Sequence, residues 1–199
     1  MTKDNSRTQR DRLLTMVQGA VIASIYLVAT FLTSAISFGM IQFRISEALA
    51  ALALLFPGAP LGLFAGCLLA NLLNPASLGV VDILGGSLAT GIAALLTYRL
   101  GRSYRKKLQH YYQNREKADR PPMMARLIPL SLPVIINALI VGTYLPFLIQ
   151  GAEPTLAVVL LSVLSIFISQ AIAVYALGLP LLLAMECTPA AFDAVKYEE

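Results

Sequence analysis

Residues 39–60 read GMIQFRISEALAALALLFPGAP. As far as Phe56 the run is apolar and nearly long enough to cross a bilayer, yet it carries Arg44 and Glu47. An ionisable group inside a membrane helix costs roughly 2.5–3.5 kcal/mol on the insertion scale, and is a functional candidate by default. The run closes on Pro57-Gly58-Ala59-Pro60. Proline and glycine stop one helix there, and proline can open the next. Read as a membrane helix with two charges, this stretch indicates both the class of fold and the place to look for a site.

The rest of the chain agrees. Of its 199 residues, 57% are hydrophobic and 13% charged, where a soluble domain carries about 25% charged residues. A soluble globule and a disordered chain are both excluded on those figures. A spanning helix needs about 20 mostly apolar residues. The residue pattern predicts six: 13–36, 39–56, 60–73, 79–98, 127–149 and 154–185. The first is too long for the apolar part of a signal peptide, about 7–15 residues, and is expected to be retained. The sixth exceeds a single crossing, so it either tilts and protrudes or bends near Gly178-Leu179-Pro180, where proline removes a backbone donor and clashes one turn back. The expected organisation is therefore a basic segment 1–12, a six-helix transmembrane domain 13–187 and a tail 188–199. A polar, basic loop 99–126, with helical extensions of its flanking spans, lies inside the domain.

Lys and Arg number 15, with four in residues 1–12 and nine between Arg99 and Arg126. Six spans bring both segments to one face. The positive-inside rule makes that face, and both termini, cytoplasmic, with the protein a multi-pass component of the cell membrane. The cations are not expected to form a folded basic face, so nucleic acid is not an expected partner. Cys67 and Cys187 lie in or beside apolar runs without metal-ligand spacing, and His110 is the one histidine.

Counting along each span at 1.5 Å per residue places Gln42, Arg44, Glu47, Asn71, Asp82 and Asn137 roughly 14–24 Å above the cytoplasmic ends of four spans. Polar groups converging within an apolar wall describe a small-molecule site. Taken singly, each has a plainer explanation. Arg44 and Glu47, three apart, could pair with each other. Asp82 could cap its helix, and Asn71 and Asn137 could bond helix to helix. Their common depth favours a site. Gly19, Ala20, Ala23 and Ser24 form two overlapping small-xxx-small pairs on the first span, where another membrane helix could approach closely. Gly62 with Gly66, and Gly86 with Thr90, repeat the spacing and are expected to pack inside the bundle. No phosphate-loop, zinc-protease or serine-hydrolase motif occurs, so no catalytic residue, metal or cofactor is assigned.

The runs IQFRISEALAALALLFPGAPLGLFAGCLLANLL and VDILGGSLATGIAALLTYRL, with LPVIINALIVG and YALGLPLLLAME further on, resemble the QueT family of queuosine-precursor transporters from about residue 13 to 187. The resemblance implies the substrate-binding S component of an energy-coupling factor importer. Such a component is a six-helix membrane protein that docks on a transmembrane coupling subunit, while two cytoplasmic ATPases hydrolyse the ATP. It implies a 7-deazaguanine ligand such as 7-aminomethyl-7-deazaguanine, and a docking face at Ala20 and Ser24 or at Gly19 and Ala23. Glu47 would take the donor edge of the ring, and Arg44, Asn71, Asn137 or Gln42 its carbonyl. Asp82 would pair with an aminomethyl cation, and Phe43 or Tyr144 would stack on the ring. Three alternatives stay open: the same architecture with another vitamin-like ligand, a self-sufficient transporter coupled to protons through Glu47 or Asp82, and a membrane assembly protein without ligand.

Overall fold

The computed structural model describes residues 2–33, 44–74, 78–114, 119–149 and 154–195, with the side chains of 2–8 excepted. Among these every regular element is a helix. Helix α1 runs Thr2–Leu32, a 3-10 helix η1 Ile45–Leu54, α2 Ala59–Leu72, α3 Val80–Leu100, α4 Arg102–Gln113 and α5 Met123–Leu148. Then come α6 Leu156–Ala171, a π-helical segment Ile172–Gly178, α7 Leu179–Met185 and α8 Pro189–Val195.

Four stretches are long and apolar enough to cross a membrane: Gln9–Leu32, Val80–Leu100, Met123–Leu148 and Leu156–Met185. They coincide with the expected first, fourth, fifth and sixth spans. The expected second and third are different objects. Helix η1 has ten residues and α2 has 14. At about 2.0 Å rise for a 3-10 helix and 1.5 Å for an α-helix, each is roughly 20 Å long, short of a core of about 30 Å. Among the described residues, four long helices and two short apolar ones therefore stand where six full spans were expected.

Every residue of η1 from Ser46 to Leu54 is buried. Hydrogen-bond geometry in a 3-10 helix is poorer than in an α-helix. At membrane depth such backbone is tolerated where protein surrounds it. Ala48, Ala50, Ala51 and Ala53 keep the rod thin enough to be enclosed on all sides. It packs against α1, α2, α3, α5, α7 and the π segment. Gly178 in that segment comes so close that an added Cβ would lie 2.6 Å from the Ala48 carbonyl.

Proline shapes two of the long helices. Pro180 cannot donate a hydrogen bond and crowds the preceding turn. Where a bend was expected, the helix widens to π register over the seven residues ending at Gly178. Pro133, inside α5, leaves the Pro129 carbonyl without its helical donor. Thr97 Oγ1 of α3 lies 3.2 Å from that carbonyl and 2.8 Å from the Ala93 carbonyl of its own helix, so its one proton is shared between the two and offers the Pro129 carbonyl a donor from the neighbouring helix.

Within the expected basic loop, Arg102–Gln113 forms a further helix, separated from the end of α3 by one residue. Helix α4 buries Tyr104, Arg105 and Leu108 and exposes its other side. Arg105 Nη1 donates to the carbonyls of Leu54, at 3.2 Å, and Tyr98, at 2.6 Å. Its charge thus sits on the C-terminal ends of η1 and α3, where the helix dipole favours a cation. The tail forms α8, which lies on α4 with Phe192 edge-on to Tyr112.

Candidate functional site

Glu47 is 1% exposed, on the first turn of η1. Its Oε1 accepts from Tyr26 Oη of α1 at 2.5 Å and from Thr90 Oγ1 of α3 at 3.2 Å. Its Oε2 accepts from Asn137 Nδ2 of α5 at 3.2 Å. Four elements therefore meet on one carboxylate. Arg44, at the N-cap of η1, directs Nη1 to the Cys67 sulfur at 3.7 Å, and Asn71 Nδ2 reaches the same sulfur at 3.6 Å. Asn71 and Tyr144 both lie against Gly86, where the missing side chain leaves room for them. Tyr144 Oη then donates to Asp82 Oδ1 at 3.3 Å.

Of the six expected site residues, Arg44, Asn71 and Asp82 are joined in one chain of contacts through Cys67, Gly86 and Tyr144, and Glu47, bonded to Asn137, adjoins it through its backbone N–H, which donates to the Arg44 carbonyl at 3.1 Å. Gln42 lies outside the described residues, as does Phe43. Asp82 is 3% exposed in the first turn of α3, where the N-cap is Gly79; it is not the cap. Among the described residues, no group of three or more His, Cys, Asp or Glu side chains is placed to hold a metal.

A small cavity adjoins Glu47, lined by Arg44, Thr90, Asn137, Ser169 and Gln170 among others, with space of about 20 Å³. That is room for about one water. The amide oxygens of Asn71, Asn137 and Gln170 are buried without a hydrogen-bond partner. Buried polar atoms are rarely left so, and each one asks for an explanation. Here the carboxylate and three unsatisfied acceptors come from η1, α2, α5 and α6. Chemically, the site suits a compact ligand rich in N–H donors.

Sequence reasoning missed Tyr26, Thr90, Cys67, Ser169 and Gln170. Tyr26 and Thr90 look unremarkable in membrane helices, and Thr90 carried a packing explanation. Gln170 could have been found, as the one amide side chain between Leu156 and Met185.

The two small-residue pairs of α1 face different ways. A Cβ on Gly62 would lie 2.4 Å from the Gly19 carbonyl, and one on Gly66 would lie 2.9 Å from that of Ala23. Gly19 and Ala23 therefore form an internal seam with α2, which corrects their expected place on a docking face. Ala20 and Ser24 are exposed, and Ser24 Oγ donates to the Ala20 carbonyl at 2.9 Å.

No curated protein and no solved structure matches the chain. A family model does, over residues 16–187, which include every part of the site. The chain belongs to the QueT transporter family, which gives it a transporter role.

Proposed function

We propose that the chain is the substrate-binding S component of an energy-coupling factor importer, taking up a 7-deazaguanine precursor of queuosine such as 7-aminomethyl-7-deazaguanine. The observation that carries this reading is a buried carboxylate that shares a cavity with the unsatisfied amide oxygens of Asn137 and Gln170, with Asn71, whose amide oxygen is also unsatisfied, against the cavity-lining Gly86. A 7-deazaguanine presents N–H donors at N1 and at the 2-amino group, and one carboxylate can accept both. Glu47 has that role, with Asn137, Asn71 and Gln170 accepting the remaining donors. Arg44 donates to the ring carbonyl, and Asp82 pairs with an aminomethyl cation through a charge-assisted hydrogen bond. The present space of about 20 Å³ is smaller than a bicyclic ring. Binding therefore moves the walls that carry Asn137 and Gln170 away from Glu47.

The chain has no phosphate-loop motif, so uphill uptake takes its energy from a transmembrane coupling subunit and two ATPases. The exposed Ala20 and Ser24 face of α1 is the docking surface. The basic segments place both termini in the cytoplasm and the ligand entrance outside, in the cell membrane. The test is the thermal midpoint of the purified full chain with 7-aminomethyl-7-deazaguanine, guanine and a panel of vitamins. A ligand at 100 times its Kd stabilises by roughly 2.7 kcal/mol. A rise with the deazaguanine supports the reading. A rise only with a vitamin reassigns the ligand, and no rise with any compound removes the binding role.

A further inference from the structure

Helix α4 divides its cations between two tasks. Arg105 points inward and is committed to the carbonyl ends of η1 and α3. Arg102, Lys106 and Lys107 are exposed, with His110, along the opposite side. They form one wall of an open cleft of about 830 Å³. The second wall is the segment of Asp119, Arg120, Pro121 and Pro122 that leads into α5.

That wall is fixed. Arg120 Nε donates to Tyr111 Oη at 3.3 Å, and its guanidinium lies 5.8 Å from the Tyr111 ring centre. The Pro121 carbonyl accepts from Arg126 Nη1 at 2.5 Å, and Arg126 is in turn held by Glu186. Among the described residues, the lining thus carries Arg102, Lys106, Lys107 and Arg120 against one acidic residue, Asp119. The positive-inside rule needs cations near the end of a span but not a walled cleft that concentrates them.

Position says what kind of anion fits. Arg102 follows Leu100, the last residue of a membrane-crossing helix, by two positions, and Pro122 immediately precedes another. The cleft therefore lies at headgroup level. Its apolar neighbours are open to lipid: Leu100 is 51% exposed and Met124 is 65% exposed. Cations gathered over an apolar rim match a phosphate headgroup with its acyl chains below.

We propose that this cleft binds the phosphate headgroup of an anionic phospholipid, in the leaflet next to the basic face of the molecule. The proposal is independent of the ligand assigned to the Glu47 site. It is tested on the purified full chain in neutral detergent, titrated with dioleoyl phosphatidylglycerol, with retained lipid counted by native mass spectrometry. Replacing both lysines, Lys106→Gln with Lys107→Gln, should raise the half-saturating concentration about 25-fold, roughly fivefold per charge removed. Both side chains are exposed, so the fold is not at stake. Arg12→Gln, an exposed cation outside the cleft, should change it by less than about twofold.

Three outcomes overturn the proposal: a rise of no more than about twofold in the double variant; an equal rise in Arg12→Gln, which would show diffuse attraction; and displacement by inorganic phosphate at the lipid's own concentration, which would make this a site for a free anion.

Discussion

Two buried glutamates sit at opposite levels of the bundle, and their surroundings differ in kind. Glu47 on η1 is 1% exposed and Glu186, just past α7, is 9% exposed. Each accepts from a tyrosine hydroxyl, Tyr26 at 2.5 Å and Tyr104 at 2.6 Å. Glu186 is further gripped at both oxygens by Arg126, through Nε and Nη2, each at 2.7 Å. Tyr112 Oη also donates to the Glu186 backbone carbonyl. A carboxylate paired in this two-point way has its charge and its lone pairs committed. The described donors to Glu47 are neutral groups, and its site borders a cavity and unsatisfied acceptors. The first arrangement joins α4, α5 and the end of α7 into one body. The second leaves interactions to be completed by something else.

The largest test of this contrast is to break the ion pair. Arg126→Ala leaves a buried carboxylate without its counter-charge, which typically costs about 3–5 kcal/mol. We expect a marked fall in the thermal midpoint of the purified chain, with ligand affinity of the folded fraction kept. An unchanged midpoint would mean that Glu186 does not hold the fold. At the other glutamate the pattern reverses. Glu47→Gln replaces an acceptor with a donor that faces the ligand's own donors, and we expect binding to weaken by about 2–5 kcal/mol. Its effect on stability should stay near ~1 kcal/mol, since the amide keeps an acceptor for Tyr26 or Asn137. Binding within twofold of wild type in a folded variant would place the ligand elsewhere.

A smaller effect comes from pH. Burial, and then the neighbouring Glu186 carboxylate, push the Tyr104 hydroxyl above its ordinary value of 10.0. Because the folded value is the higher one, the folded state holds the proton more tightly. The stabilisation is fully present below about 10 and is lost as pH rises from there toward the folded value. The thermal midpoint of wild type should therefore fall more steeply above pH about 10 than that of Tyr104→Phe. Parallel slopes in the two proteins would remove Tyr104 from the cluster's pH response.

Much of the Glu47 site was legible in sequence because ionisable and amide side chains are rare in apolar runs. Arg44, Glu47, Asn71, Asp82 and Asn137 each stood out on that ground. Arg126 and Glu186 did not, since each lies at a polar margin where charges are ordinary. Their pairing joins residues 60 apart in the chain, which no local pattern encodes. Four of the six expected spans were read closely, yet hydropathy carries no information on backbone register. The 3-10 turns of η1 and the π turns before Pro180 were invisible to it. The two small-residue pairs of α1 met the same limit. They differ by one position, about 100° around an α-helix, and only the packing of α2 distinguishes them.

That one-position difference yields the finest test of the contrast between groups committed to the fold and groups left open. At Ala23 the backbone lies against Gly66, where even one added carbon would sit 2.9 Å from the Ala23 carbonyl. Ala23→Trp should overpack this seam and cost about 1–3 kcal/mol of stability. Ala20 faces outward among exposed apolar neighbours such as Val17, at 52%, and Val21, at 52%. Ala20→Trp should therefore leave the isolated chain within about 0.5 kcal/mol of wild type, with ligand affinity unchanged. In cells with a complete importer, the same substitution should abolish uptake and co-purification of the coupling subunit, because a bulky ring prevents close helix approach. Full uptake with Ala20→Trp would move the partner to another surface. An undiminished midpoint with Ala23→Trp would contradict the seam between α1 and α2, and with it the separation of the two faces of α1.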